Sequence, residues 1–326
     1  KITNNKKVIE SSFQRQFFNH LNCYLSIKIQ NLQKTNNSIL HSLSLFPSFF
    51  DKELNKSSAD IVHLHWVQGE MISIEEVSKI KKPIIWTLHD SWPFCGAEHH
   101  PNGFLDNRYI DGYKKENRNK KHYGLDLDRW TWERKYRNWK NPMTLVSPSS
   151  WLASCVKKSK LMSNWQVKVI PHPLEVNTFR PYPKVLSRKK FDLPLQKQLI
   201  LFGSLNKFDN VLKGWRIFEQ TINLISRSLP NACVVIFGSE KPKFIPVLKL
   251  KVFFIGRISD DNLLASLYSA VDLIATTSKV ESFGQTISEA HSCGTPAVAF
   301  NATGLRDIIL HQKTGYLAKP FSIKSF

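Results

Sequence analysis

Glu281-Ser282-Phe283-Gly284-Gln285-Thr286-Ile287-Ser288-Glu289, continuing through Ala290 to Cys293-Gly294-Thr295-Pro296, decides how this chain is read. The run Leu273 to Thr277 ahead of it is apolar and predicts a buried strand. Gly284 allows a tight entry and Gln285 to Cys293 has helical spacing, so strand, turn and helix follow in order. The N–H groups of Gly284, Gln285 and Thr286 then point out of the positive end of a helix, which binds a diphosphate without any side-chain charge. Carboxylates beside a diphosphate are repelled, so Glu281 and Glu289 fit only as acceptors from hydroxyls on either side of it. Glu281, ahead of the helix, is placed for a sugar. Glu289 lies roughly 6 Å further along the axis than Gln285, which suits a nucleoside ribose. The competing reading is a plain helix start, with Ser282 and Gln285 as a capping box and Glu281 complementing the dipole.

Outward from this stretch the second half alternates regularly. Strands are expected at Gln198 to Gly203, Ala232 to Gly238 and Val252 to Ile255, and helices at Lys213 to Leu229 and Asp260 to Val271. Alternation of this kind means a parallel sheet with helices on both faces, and ligands of such sheets sit at the carboxyl ends of strands. Gly203, Gly256 and Gly284 all fall at such ends. Ser204 beside Gly203, Phe283 beside Gly284, and Lys213 directly before Gly214 at a helix start complete the expected binding set.

The first half repeats the theme more loosely, with strands at Ile61 to Trp66, Ile84 to Leu88, Thr144 to Ser147 and Val167 to Ile170. A long polar stretch from Pro93 to Asp128 interrupts it; segments of that length are usually functional or disordered. Pro171 to Pro183 holds four prolines and reads as a stiff connector. The expected division is residues 1–180 and 181–326. His89 ends the second of these strands, while His63 and His65 alternate onto one face of the first. The two are read as packing or acceptor-side groups, because no carboxylate or Cys at metal spacing accompanies them.

At 326 residues, with 42% hydrophobic and 22% charged content, the chain has the composition of a globular protein large enough for two cores. No apolar run reaches the ~20 residues that cross a bilayer. Cys23, Cys95, Cys155, Cys233 and Cys293 are scattered, with no Cys-x-x-Cys pair, which points away from a disulfide framework or zinc site and toward a reducing cytoplasm. The formal net charge of +20 asks for an acidic partner. Basic residues crowd into Lys114, Lys115, Arg118, Lys120 and Lys121, then Arg129, Arg134, Lys135, Arg137 and Lys140, interleaved with Trp130, Trp132, Tyr136 and Trp139. This reads either as a solvated basic helix whose tryptophans face the core or as a face for an anionic membrane. A non-catalytic basic protein that binds nucleic acid or membrane is an alternative that explains the charge but leaves the Glu-flanked helix start unexplained, so no nucleic-acid partner is expected.

The Glu281 to Glu289 phrase resembles the Glu, seven residues, Glu motif of retaining glycosyltransferases of family four. Asp60-Ile-Val-His-Leu-His-Trp66, Pro83-Ile-Ile-Trp-Thr-Leu-His-Asp90-Ser-Trp-Pro, Val146-Ser-Pro-Ser-Ser-Trp-Leu152, Val169-Ile-Pro-His-Pro173, Lys213-Gly214, Thr303-Gly304 and Thr314-Gly-Tyr-Leu317 carry the resemblance along most of the chain. The nearest likeness is to the branch that builds colanic-acid-like and other surface polysaccharides. It implies an α/β, GT-B fold of two facing Rossmann-like domains, acceptor-side first and donor-binding second. It also implies transfer from a UDP- or GDP-sugar to a glycan or lipid-linked acceptor, with front-face retention and no cofactor or metal.

His89 is then expected at the transferring group, Lys213 on the diphosphate and Glu281 on the sugar, the three together as the catalytic set. The Arg that the family usually adds is replaced here by Ser204 or Leu212, with Lys207 as a substitute. Against the family pattern, the first domain lacks its opening strand, with Lys1 to Gln33 reading as a polar, basic helix, and the closing helices are missing after Phe326. Sugar-nucleotide epimerases and phosphorylases share the architecture, and a catalytically dead scaffold is a further alternative. The expected location is cytoplasmic, peripheral on the inner face of the cytoplasmic membrane.

Overall fold

The computed structural model describes residues 13–101, 107–203, 212–239 and 248–326, with side chains from residue 17 onward. The chain runs through α1 (Phe13–Gln30), β1 (Gln33–Lys34), α2 (Phe50–Lys56), β2 (Val62–Leu64), α3 (Ile74–Lys79), β3 (Ile84–Thr87), α4 (Arg108–Asp111), β4 (Tyr123–Gly124), α5 (Leu127–Asn138), β5 (Thr144–Ser147), α6 (Ser150–Lys158) and β6 (Val167–Val169). It continues through α7 (Lys184–Lys190), β7 (Gln198–Gly203), α8 (Trp215–Ile225), β8 (Ala232–Phe237), β9 (Lys251–Gly256), α9 (Asp261–Ala270), β10 (Leu273–Thr276), α10 (Gln285–Ser292), β11 (Ala297–Phe300), α11 (Leu305–Ile308) and β12 (Gly315–Ala318). Two compact units result, residues 1–147 with 153–169, and residues 148–152 with 170–326.

The second unit is a six-stranded, wholly parallel sheet in the order β12-β11-β10-β7-β8-β9. Its central strands read as unbroken apolar runs because both faces are covered. Along β7, Leu199 and Leu201 join a core with Ala265, Leu267 and Tyr268 of α9 and Ile287 and Ala290 of α10. The alternate residues Ile200 and Phe202 join a separate core with Trp215, Phe218 and Ile222 of α8. A period of two on the strand and of three to four on the helix thus meet across each face. Phe202 and Phe218 stack at 4.2 Å.

In the first unit β2, β3, β5 and β6 form a four-stranded parallel sheet in that order, and β1 pairs antiparallel with β4. The stretch that starts at Pro93 exposes residues 114–116, 119–121 and 123–125 but is packed into the unit at its beginning, where residues 93–99 are all buried. What holds them is Lys135, 0% exposed, whose Nζ donates to the carbonyls of Trp92, Cys95 and Gly96 at 2.5, 3.1 and 2.8 Å and lies 3.5 Å from the centre of the Trp92 ring. Burial pushes this ammonium down to about 7, although Cys95, Glu98 and Asp90 favour its charge. The basic stretch is therefore not uniformly solvated. Lys135 and Arg134 are buried along with Trp132 and Trp139, whereas Trp130 and Tyr136 are exposed.

Candidate functional site

In a doubly wound sheet the ligand crevice lies where the chain reverses its direction of travel across the sheet, at the carboxyl ends of the strands. Here the chain moves from β7 outward to β9, then returns to the other side of β7 with β10, so the reversal falls between β7 and β10. Gly203 pairs with Phe237 and Phe237 with Gly256, which sets the ends of β7, β8 and β9 side by side. A Cβ on Gly203 would lie 2.9 Å from the Phe237 ring, so this strand end admits no side chain as it stands. Gly256 has φ +77° and open space around it.

The turn at Leu212 to Gly214, just ahead of α8, and the loop after β10 are laced together across that reversal. Lys279 N donates to Leu212 O at 2.7 Å, and Thr277 Oγ1 donates to the carbonyls of Lys213 and Gly214 at 3.0 and 2.9 Å. Gly214 is left-handed at φ +68°, and a Cβ there would sit 2.2 Å from Thr277 O. Lys213 Nζ donates to Glu281 Oε1 at 2.5 Å, both side chains remaining partly exposed. The backbone of Glu281 is held in turn: its N–H donates to Thr303 Oγ1 at 3.2 Å and its carbonyl accepts from Gly304 N at 2.9 Å. Thr303 is a buried β-branched residue at φ 54°, a conformation that costs energy and is retained where surrounding bonds impose it.

Gly284, at φ 104°, is the N-cap of α10, and no side chain caps that helix. The capping box of Ser282 and Gln285 is not formed. Gln285 instead bonds Glu289, one turn along, and Tyr268 OH donates to Glu289 Oε2 at 2.8 Å. Burial raises the Glu289 carboxyl above its ordinary range, the two hydrogen bonds offset part of that, and Asp261 adds to it. Thr286 is exposed beside the helix start. Phe283 is buried, its ring 5.1 Å from that of His172 and edge-on to it, so it forms wall behind the helix start. Ser204 and Lys207 lie outside the described residues. The structure therefore gathers Gly203, Lys213, Glu281 and the start of α10 around one strand reversal, with Glu289 a turn further along that helix. Thr277, Thr303 and Tyr268 belong with them and were not picked out by sequence reasoning. Thr303 sits in a noted Thr-Gly pair, but nothing local to α9 signals that Tyr268 reaches Glu289.

His89 lies in the first unit, exposed beyond β3. Its Nε2 is 3.0 Å from His65 Nδ1, and the His65 ring lies 4.4 Å from that of His63, so the three imidazoles form a row. Burial and the neighbouring His63 lower the pKa of His65. Nearby, Ser42 Oγ, His99 and Asp90 line up at 2.8 and 2.6 Å in the order of a nucleophilic triad. All are buried, and Trp92 Nε1 donates to Ser42 O at 2.8 Å, so this line is a clamp on the 90–99 segment and not a reaction centre. Among the described residues no three His, Cys, Asp or Glu side chains gather to hold a metal ion.

A doubly wound parallel domain with polar groups across its strand reversal, joined in one chain to a second parallel α/β unit, has the GT-B fold of glycosyltransferases. Residues 186–326 match the family described as "Glycosyl transferases group 1". Over 168 residues the chain is 30% identical to a D-inositol 3-phosphate glycosyltransferase of Xylanimonas cellulosilytica, an overlap of 47% of this chain and 39% of that protein. Over 132 residues it is 28% identical to an N-acetyl-alpha-D-glucosaminyl L-malate synthase of Bacillus anthracis, covering 38% of this chain and 32% of that one. The chain thus spans well under half the length of these curated relatives.

Among solved structures it is similar to a sucrose-phosphate synthase from Thermosynechococcus elongatus, with TM-score 0.62 and 19% identity over 85% of this chain and 64% of that one. It is also similar to a glycosyltransferase from Rickettsia africae, with TM-score 0.57 and 18% identity over 97% and 71%. For Anabaena HepE in complex with UDP-glucose the values are 0.54 and 17%, over 81% and 66%. At these identities the likeness is one of fold.

Proposed function

We propose that this chain transfers a glycosyl group from a UDP- or GDP-sugar to a hydroxyl of a glycan or lipid-linked saccharide, with retention at the anomeric carbon, in building a cell-surface polysaccharide. The observation that carries the proposal is the Lys213–Glu281 pair spanning the reversal between β7 and β10 beside an uncapped helix start. An ammonium and free helix N–H groups suit a diphosphate, and a carboxylate next to them suits sugar hydroxyls. The names of the relatives above support glycosyl transfer, and the UDP-glucose complex of Anabaena HepE supports this class of donor.

In the reaction, the bond between the anomeric carbon and the diphosphate oxygen breaks and the acceptor oxygen bonds the same face of that carbon. The acceptor proton passes to the departing diphosphate oxygen. Lys213 and the start of α10 stabilise the charge that grows on the leaving group, the largest effect such a site offers. Glu281 orients the sugar, Glu289 accepts from the ribose, and the open strand end at Gly256 lets the nucleotide approach the backbone, with Gly203 making room for the Phe237 ring beside it. His89 contacts the transferring group. Glu281 and Glu289 belong to one side of the donor and are not the carboxyl pair that flanks the scissile bond in retaining hydrolases. The proposed location is the inner face of the cytoplasmic membrane.

A thermal-shift screen of UDP, GDP, ADP and their sugars tests the reading. A ligand at about 100 times its Kd stabilises by about 2.7 kcal/mol. One nucleotide class is expected to stabilise the chain, and the product formed from its sugar is expected to keep the donor's anomeric configuration by NMR. Stabilisation by none of them refutes the donor site, and conversion of the sugar to its epimer without acceptor replaces transfer by epimerisation.

A further inference from the structure

Helix α1 is amphipathic the wrong way round. A surface helix of a globular protein turns its apolar stripe inward and its polar residues to water. Here the stripe at helical spacing that is drawn toward the protein is mostly polar: Asn19, Asn22, Cys23, Ser26 and Gln30, with Ile29. Ser26, buried, donates from Oγ to Glu70 Oε1 at 2.7 Å, and Cys23 Sγ donates to Gly69 O at 3.1 Å. Glu70 is itself fixed by the N–H groups of Leu45 and Phe46 at 2.6 and 3.0 Å. The helix is therefore anchored through hydrogen bonds. Its outward side carries Phe17, Phe18, Leu21, Tyr24 and Ile27, exposed by 60, 59, 41, 55 and 55%.

The apolar surface continues past the helix end. Leu32 is exposed, and β1 then pairs with β4, which presents Tyr123 at 68% exposure and leads to exposed Leu125. Lys114, Lys115, Lys120 and Lys121, all exposed, lie just before β4. An open cleft of about 490 Å³ where α1, β1 and β4 meet is lined in part by Lys34, His41, Lys121 and Tyr123. Tyr123 thus shares a cleft with Lys34 and Lys121 at the end of α1, and an aromatic group beside cations matches the boundary between acyl chains and headgroups. A second copy of this chain is the poorer occupant, because each copy carries a formal +20 and would set its lysine rim against the other's.

We propose that the outward face of α1 lies in the interfacial layer of an anionic lipid bilayer, with Phe17, Phe18, Leu21 and Tyr24 among the acyl chains and the lysines before β4 at the headgroup phosphates. The inference rests on the first unit alone and holds whatever nucleotide the second unit binds.

Flotation of the full chain with vesicles tests it. The chain is expected to float with mixed phosphatidylcholine–phosphatidylglycerol vesicles, to float weakly with phosphatidylcholine alone, and to be released as salt is raised. The variant Phe17→Ser/Phe18→Ser/Tyr24→Ser, with an unchanged circular dichroism spectrum, is expected to partition at least about tenfold more weakly. Lys120→Glu/Lys121→Glu is expected to lose the preference for the anionic lipid. Should the triple variant fold poorly, Phe17→Trp provides a second reading: the emission that remains after subtracting the parent chain, with its nine native tryptophans, should shift to the blue with anionic vesicles and be quenched by bromine-labelled acyl chains. Equal flotation of the triple variant and the parent chain overturns the proposal. So does an emission from the Phe17→Trp variant that vesicles leave unshifted, or a chain that dimerises in solution through this face and does not float.

Discussion

Lys213 and Glu281 meet at 2.5 Å with side chains 32 and 21% exposed. Exposed pairs contribute about 0–1 kcal/mol to stability, and this partly exposed one is expected to add little to the fold. Lys213→Ala should therefore shift the thermal midpoint by no more than a few degrees while weakening UDP or GDP binding by ~1.5–3 kcal/mol, read by calorimetry. A large loss of stability with affinity intact would make the pair structural. The two carboxylates should separate by role. Glu281→Gln is expected to depress turnover more than nucleotide affinity, and Glu289→Leu to weaken nucleotide binding first; equal losses of affinity would remove the distinction. Glu289 also sets a pH dependence. Burial first, then Asp261, raises its folded-state carboxyl above the unfolded value near 4.5. Ionising it thus costs stability as pH rises from that value through the raised one, and the cost is absent below. A ribose hydroxyl that donates to the carboxylate favours the ionised form. Affinity for uridine or guanosine, which lack phosphate, should accordingly increase with pH across that window, and Glu289→Gln should flatten the profile in an NMR titration.

At the scale of elements, what matters is how strand ends and helix starts are joined. Gly214 and Gly256 both have positive φ, yet they meet different surroundings. A Cβ at Gly214 would press on Thr277 O at 2.2 Å, whereas at Gly256 nothing lies within 4 Å. Gly256→Ala should cost only the left-handed backbone penalty of about 1–2 kcal/mol. Gly214→Ala adds a backbone clash in the turn that carries Lys213, so it should lose clearly more stability in urea titration and lose nucleotide binding with it. Similar losses for the two variants would show that the lacing between the turn at Leu212 to Gly214 and the β10 loop is looser than the hydrogen bonds of Thr277 and Lys279 indicate. The same lacing explains why the helix at Gln285 begins uncapped. Its entry is fixed by Gly284 packing against Leu305, where a Cβ would lie 2.8 Å away, and by the Glu281–Thr303–Gly304 bonds, so Ser282 is not needed as a cap.

At the scale of the whole molecule, the second unit has its own cores on both sheet faces, and its donor-site candidates fall after residue 200. A fragment of residues 170–326 should fold and bind the same nucleotide as the full chain. One starting near Phe191 should be much less stable, because it lacks α7, whose Arg188 donates to Ala270 O at 2.9 Å, to three carbonyls between Pro194 and Lys197, and to Asp272 Oδ2 at 2.9 Å. Thermal melts of the two fragments, with and without UDP and GDP, compare them directly. By itself the sequence determined what depends on near neighbours along the chain. Apolar runs such as Leu199 to Phe202 have no solvated side to alternate toward, which specifies a doubly covered parallel strand, and Gly284 followed by helical spacing specifies an entry and a helix. It also marked Lys213, Glu281 and Glu289 by residue type. Only the tertiary structure decided which groups face each other: the Lys213–Glu281 pair, the Tyr268–Glu289 bond, the burial of Lys135 within a basic stretch and the inverted polarity of α1. Each of these joins residues 21 or more positions apart in the chain, or depends on which side of an element its neighbours cover. Local pattern carries no record of such partners, because strand order and helix packing are settled by burying the two sheet faces and not by the residues next in line.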